Sequence, residues 1–169
     1  MKANSLKAWR QAIRLFDSLL DISRAEADQG SGGGLVPLDL SALLAEIWEL
    51  YEPLAEDKGL ILDLDLAPGL QVLGDWTLIA QMVANLLDNA VKYCRPGDAL
   101  RLHLTEGAAR HLIVLEDTGP GLPEDLRDRV FDRFARAERD RGLPGHGLGL
   151  ALVQAIAARH GAKLSLPRR

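Results

Sequence analysis

Two asparagines and a lysine are the residues best placed to do chemistry: Asn85, Asn89 and Lys92 stand in a stretch whose periodicity predicts a helix from Asp75 to about Cys94. At 3.6 residues per turn these three fall within an arc of roughly 60°. Trp76, Ile79, Val83, Leu86, Leu87 and Ala90 gather on the opposite side as a core-facing stripe. A merely solvated face explains Lys92 but not the asparagines. Asn is roughly 0.5 kcal/mol or more worse than Ala inside a helix, and Glu, Lys or Gln would fill such a face better. Downstream, Asp117-x-Gly119-x-Gly121 follows an apolar strand, and Gly145-x-Gly147-x-Gly149 leads into an apolar helix. The first could be only a tight turn, and the second only a loop with close packing. A helix N-terminus with exposed N–H groups also favours phosphate, and the order of the three pieces says more than any one of them.

The elements that must position these residues can be taken in chain order. Asn4 and Ser5 can cap a helix reaching about Asp28, with Leu6, Trp9, Ile13, Phe16 and Leu20 at bundle-seam spacing and Leu15, Leu19 and Ile22 widening the stripe. Such a face needs a partner: the helix either folds back on the following domain or pairs with another helix, and pairing is favoured because a glycine-rich linker, residues 30–36, decouples it from the rest of the chain. A second helix starts near Leu38–Ser41, capped by Asp39 or Ser41, with Leu43, Leu44, Ile47, Leu50, Tyr51 and Leu54 inward. Pro53 should bend it and Gly59 end it. Strands are expected at Leu60–Leu66, Gln71–Leu73, Leu100–Leu104 and His111–Glu116, the last continuously apolar enough for the middle of a sheet. Pro123 can open a short helix carrying Leu126 and Val130. The charged stretch from Ala137 to Gly145 is expected as a mobile loop, the glycine-opened helix runs on to Arg159, and Ala162–Leu166 is expected as a last strand. The class is α+β, with helices on one face of a mainly antiparallel sheet.

Composition bounds the function. The 169 residues are 47% hydrophobic and 26% charged, enough for one domain and an appendage. A net charge of −4 without a basic run argues against a nucleic-acid binder. The single Cys94 excludes an internal disulfide and reads as an incidental thiol with no base near it in sequence. No apolar run approaches the ~20 residues of a membrane span, so no membrane segment is expected and the location expected is cytoplasmic.

Taken in order, these motifs resemble the catalytic ATP-binding domain of bacterial sensor histidine kinases, in the superfamily shared with gyrase, heat-shock chaperones and mismatch-repair ATPases. Asn85–Tyr93 is similar to the N box, Asp117–Gly121 to the first glycine box, Phe131–Phe134 to the F box and Gly145–Leu150 to the second glycine box. The resemblance spans about Pro37 to Leu166 and implies a two-layer α/β sandwich, a mixed sheet covered by helices on one face, preceded by one long helix. Its implied cofactors are ATP and Mg²⁺. By resemblance Asn89 is the Mg²⁺ ligand, and Asn85 the catalytic polar group near the γ-phosphate. Lys92 supplies charge to the phosphates, and Tyr93 packs by the adenine or ribose. Asp117 accepts from the adenine amino group, and Gly119 and Gly121 let backbone approach the base. Gly145, Gly147 and Gly149 bring N–H groups to the phosphates, with Leu148 between them. His146 stands where the family often has a small hydroxyl residue and could meet phosphate or solvent. Phe134 closes the F box, and the lid runs on from it. Arg133 and Arg136 are candidates for the γ-phosphate or the substrate domain, or are plain solvated charges.

The family's acceptor is a histidine on a helical hairpin, and no stretch here resembles that motif. Residues 1–29 resemble the hairpin's second helix, and residues 37–169 the catalytic domain without the family's last strand. The resemblance therefore implies transfer of the γ-phosphoryl to a histidine supplied in trans, with a response regulator downstream. Two alternatives stay open: a superfamily ATP hydrolase, against which Asn85 argues because an amide is a poor base, and a docking module that binds no nucleotide, against which the intact boxes argue.

Overall fold

The computed structural model describes residues 19–27, 34–136 and 146–166. It divides into two compact units, Gly34–Leu122 and a second drawn from Met1–Gly33 with Pro123–Arg169. Helix α1 is described over residues 19–27. The remaining elements are β1 (Val36–Asp39), α2 (Leu40–Asp57), β2 (Ile61–Leu66), β3 (Gln71–Gly74), α3 (Trp76–Tyr93), β4 (Ala99–Thr105), β5 (Leu112–Asp117), α4 (Glu124–Arg127) and α5 (Gly149–Arg159).

In the Gly34–Leu122 unit, helices α2 and α3 cover one face of a mixed sheet. Each helix starts at an aspartate that is its own cap: the Ala42 N–H donates to Asp39 at 2.9 Å and the Leu78 N–H to Asp75 at 3.0 Å. Such caps satisfy donors that have no partner inside the helix. Helix α2 continues through Pro53 and stops at Gly59, whose φ of +77° suits a residue without Cβ. There the Leu60 N–H reaches Ala55 O and the Gly59 N–H reaches Glu56 O, a paired closure of the last turn. Cys94 caps the end of α3 just before Pro96.

The sheet order is β2-β4-β5, with β2 parallel and β5 antiparallel to β4, and a separate antiparallel ribbon pairs β1 with β3. The sheet is thus mixed, as the family resemblance implies. Leu100, Leu102 and Leu104 of β4 are buried beneath Leu43, Leu44 and Ile47 of α2 and Ile79, Val83 and Leu87 of α3 in a single core. Central β4 alternates buried and outward residues, as a strand with one covered face does.

Several sequence expectations need correction. The continuous apolar run of β5 pointed to a central strand, but among the described residues β5 lies at the sheet edge and β4 at the centre. Strand β1 replaces the expected linker end and helix start, because Val36–Asp39 finds its ladder with β3, far from it in sequence. Leu50 and Leu54 are exposed, and Trp48 and Ala55 are buried in their place. The buried face of α2 swings toward the edge on which Trp48, Tyr51 and Ala55 meet Leu62 and Leu100. Trp76, at the first turn of α3, is 40% exposed, and Leu86 is only half-buried. Residues 162–166 form no strand: their alternation is present but no ladder is made, and a strand exists only through its pairing.

In the other unit, the described part of α1 buries Ile22 and Ala25. Leu126 of α4 and Val130 are both buried, but α4 ends at Arg127, so Val130 is not carried on that helix as the sequence suggested. Helix α5 begins at Gly149 rather than at Gly145, and Leu152, Val153 and Ile156 are its most buried large residues. Gly161, with φ +62°, follows its end.

Candidate functional site

The N-box face of α3 is built from the helix's own geometry. Asn85, Asn89, Lys92 and Tyr93 are all half-buried, placed between the core stripe and solvent. The Asn85 Nδ2 donates to the Gln81 carbonyl one turn back at 2.9 Å. That bond fixes which end of the amide is outward: nitrogen is used on the helix, and Oδ1 is left as the outward acceptor. Asp88, between the two asparagines, points elsewhere and accepts from the Tyr51 hydroxyl at 2.8 Å, tying α3 to α2. Burial, and then the hydrogen bond and charge of Asp88, push the Tyr51 phenol well above its usual pKa. Lys92 lies over the ring of its neighbour Tyr93, Nζ 4.7 Å from the centroid and 3.0 Å from the hydroxyl. Lys58 places its ammonium on the Val91 and Lys92 carbonyls at the helix end, where the helix dipole favours a cation.

The first glycine box is attached to the end of this same helix. Asp117 closes β5 opposite Leu100, and Thr118 clasps the start of β4 in both directions: its N–H donates to Ala99 O at 3.0 Å and its Oγ1 accepts from the Ala99 N–H at 2.8 Å. The Gly119 N–H donates to Asp117 Oδ1 at 2.9 Å. Gly121 has φ +66°, a conformation that favours glycine. Cys94 is buried, and its Sγ and the Asp117 Oδ1 both lie against Gly119; burial first, and then the neighbouring Asp117 carboxylate, raise its thiol to about 11, while the Gly119 backbone acts the other way. Sequence reading missed this contact by taking Cys94 as incidental. A signal existed: a hairpin turning at residues 107–110 pairs residue 100 with a residue near 117, bringing Asp117 toward the loop that follows Cys94.

The F box and second glycine box meet within the other unit. The Phe134 N–H donates to Gly147 O at 2.9 Å, and Phe134 itself takes φ +64°, the one described non-glycine residue with positive φ. Gly147, φ +71°, has no room for a side chain: a Cβ would lie 2.7 Å from Ala135 O and 2.8 Å from the Phe134 carbonyl carbon. Leu148 is buried and Gly149 begins α5, whose first turn has neither a side-chain cap nor an acidic residue. This contrasts with the aspartate-capped α2 and α3. The first-turn N–H groups of α5 are donors without an intrahelical acceptor, and half-buried His146 stands just ahead of them. Gly145 lies outside the described residues, as do 137–144 of the expected lid. Arg133 is paired: its Nη2 is 2.6 Å from both carboxylate oxygens of Glu26 on α1. The pair borders a cavity of about 380 Å³ that Gln154 and Ala158 of α5 also line.

Residues 74–169 match the family described as histidine kinase-, DNA gyrase B- and HSP90-like ATPases. The chain belongs to that family. Among its curated relatives is a signal transduction histidine-protein kinase/phosphatase, MprB of Mycolicibacterium smegmatis, 34% identical over 98% of this chain and 33% of that protein. The chain thus spans about a third of the length of the curated relatives it matches. Among solved structures, a mycobacterial sensor histidine kinase MprB is 32% identical with a TM-score of 0.63, covering 75% of this chain and 82% of that one. Full-length ShkA in complex with AMPPNP is 28% identical with a TM-score of 0.64, covering 92% of this chain and 34% of that one. The fold is that of histidine kinase catalytic domains, and residues 85–150, which hold the four boxes read from the sequence, fall inside the span matched by the family.

Proposed function

We propose that this domain binds Mg-ATP and donates the γ-phosphoryl group to a histidine presented by a separate helical hairpin, within a two-component signalling kinase. The observation that carries the reading is the division of labour along α3. Its outward face offers the Asn85 and Asn89 amides, and Cys94, which caps its end, lies with Asp117 against Gly119. One rigid helix thus sets both a hard-cation ligand and a base-reading carboxylate. The rise from Asn89 to Cys94 is about 7–8 Å, which separates the two tasks along one ligand. Asp117 would accept from the adenine amino group. A guanine carbonyl at that edge would face a carboxylate with no donor to give it.

The residues suit magnesium. Among the described residues no three His, Cys, Asp or Glu side chains gather as a metal site, so no all-protein cage is offered. Mg²⁺ characteristically takes one or two protein oxygens and completes its shell with phosphates and water. Asn89 would be that ligand, with the Asn85 oxygen beside it on the same face, and the bound ion would neutralise phosphate charge. The uncapped start of α5 after Gly147 supports phosphate binding by backbone N–H groups. Asn85 favours transfer over hydrolysis: an amide already bonded to Gln81 O can orient a phosphoryl group but cannot deprotonate water. Catalysis then rests on positioning and charge compensation. The relative solved with AMPPNP supports the same class of ligand.

Calorimetric titration with ATP, with and without Mg²⁺, tests the reading. Saturable binding strengthened by Mg²⁺ and not matched by GTP is expected. Absence of binding at millimolar Mg-ATP would overturn it in favour of a docking role, and rapid phosphate release by the chain alone would favour a hydrolase.

A further inference from the structure

The Gly119 backbone is wedged between a thiol and a carboxylate. A Cβ on Gly119 would lie 2.8 Å from Asp117 Oδ1, 3.2 Å from Cys94 Sγ and 3.6 Å from Cys94 Cα. Gly119 is not among the residues with positive φ, so the requirement for glycine here is steric, and the obstacle is the Asp117 carboxylate itself. The same residue donates its N–H to Asp117 Oδ1. From the other side comes Cys94, only 2% exposed, its backbone fixed by an N–H···O bond of 2.9 Å to Ala90 as the cap of α3. We infer that Cys94 and Gly119 are positioning residues that hold the Asp117 carboxylate in the orientation in which it reads an adenine amino group. This rests on the ATP reading proposed above.

Counting donors shows how the hold works. An ionised carboxylate accepts at about four lone-pair sites. The Gly119 N–H occupies one, and the proposal gives a second to the Cys94 S–H, whose sulfur lies against the same glycine; the first donor sits on the turn clasped to β4 by Thr118 and the second on a side chain anchored at a helix end. The remaining sites are left in a fixed direction for one further donor. Asp117 is exposed, and without these two holders its two side-chain torsions would be free to turn toward water. Cys94 remains a protonated donor throughout the neutral range, since burial and the neighbouring carboxylate both oppose its ionisation. A cysteine that merely fills the core would serve equally well as valine or alanine. One that orients a carboxylate needs its S–H, and serine can substitute for it.

The experiment compares affinity for ATP with affinity for purine riboside triphosphate, which differs only in lacking the 6-amino group. It uses wild type, Cys94→Ala, Cys94→Val, Cys94→Ser and Gly119→Ala, with a urea midpoint for each to establish folding. The proposal expects Cys94→Ala and Cys94→Val to weaken ATP binding about 5- to 20-fold while changing the analogue less than about twofold, as loss of one hydrogen-bond contribution would. Cys94→Ser should restore most of the preference, and Gly119→Ala, where folded, should lose it. Equal weakening of both ligands, or full preference retained in Cys94→Ala and Cys94→Val, would overturn the positioning role alone. A wild-type protein that binds both ligands equally would overturn the base-reading role of Asp117, and the inference with it.

Discussion

Replacing Gly147 with alanine isolates the joint between the F box and the second glycine box. Two effects oppose the substitution, and a second glycine separates them. Gly147 and Gly161 flank α5 with similar φ values, +71° and +62°, but a Cβ on Gly161 would meet nothing within 4 Å. Both substitutions therefore carry the left-handed penalty of about 1–2 kcal/mol, partly offset by the lower entropy of the unfolded alanine chain. Gly147→Ala alone drives a methyl into Ala135 O and the Phe134 carbonyl carbon, at 2.7 and 2.8 Å. These are backbone atoms, so the F-box turn must move. Overpacking of this kind costs about 1–3 kcal/mol, and disturbing the Phe134 N–H···O=C Gly147 bond adds about 0.5–1.5 kcal/mol. Gly147→Ala should thus exceed Gly161→Ala by about 2–4 kcal/mol. With a urea m-value of about 2 kcal/mol/M, its unfolding midpoint, followed by far-UV circular dichroism, should lie about 1–2 M lower. Midpoints that coincide within about 0.3 M would refute the steric reasoning and leave only the backbone penalty.

Three further outcomes follow from the same geometry. Asp117→Asn, which replaces a charged acceptor with an amide, should raise the Kd for Mg-ATP roughly 10- to 100-fold by calorimetry and leave the urea midpoint almost unchanged, since Asp117 is exposed. Tyr51→Phe removes the α2–α3 bond to Asp88 and should cost about 1–2 kcal/mol, lowering Tm by several degrees. Cys94 should make stability fall in alkali. Its folded thiol ionises at about 11 against an ordinary value of 9.0, so the native state holds this proton more tightly than the unfolded chain does. The contribution is complete below the unfolded value and is lost as pH rises through the folded one. Thermal melts from about pH 8 to about pH 11 should therefore drop more steeply for wild type than for Cys94→Ser.

The parts of the site legible in the sequence are those that depend on local chemistry. Asp75 as a cap, the stripe through Ile79, Val83 and Leu87, and the break at Pro96 place α3 within a residue of its observed ends. Because the helix is placed, so is the Asn85–Asn89–Lys92 face. Illegible were features set by distant partners. Strand β1 contains Pro37 and spans four residues, so only its pairing with β3 makes it a strand. Residues 162–166 show the opposite case, an alternating pattern without a ladder. Leu50 and Leu54 fit the helical period of α2 as well as Ile47 does, yet which edge of a helix the sheet covers is a property of the packing, not of the period. Cys94 had no chemical partner within its own segment, and its meaning waited on the β4–β5 register that carries Asp117 to it. Lys58 likewise shows no sign in sequence of resting on the end of α3.

The central claim is transfer of a phosphoryl group to a histidine in trans, and labelled ATP tests it most directly. The chain is incubated with γ-labelled Mg-ATP alone, and then with a helical hairpin bearing the acceptor histidine of a cognate kinase. Acid-labile, alkali-stable label is predicted on the hairpin, none on this chain, and loss of transfer in Asn89→Ala. Label appearing on this chain alone, or a hairpin left unlabelled while the chain demonstrably binds Mg-ATP, would contradict the claim.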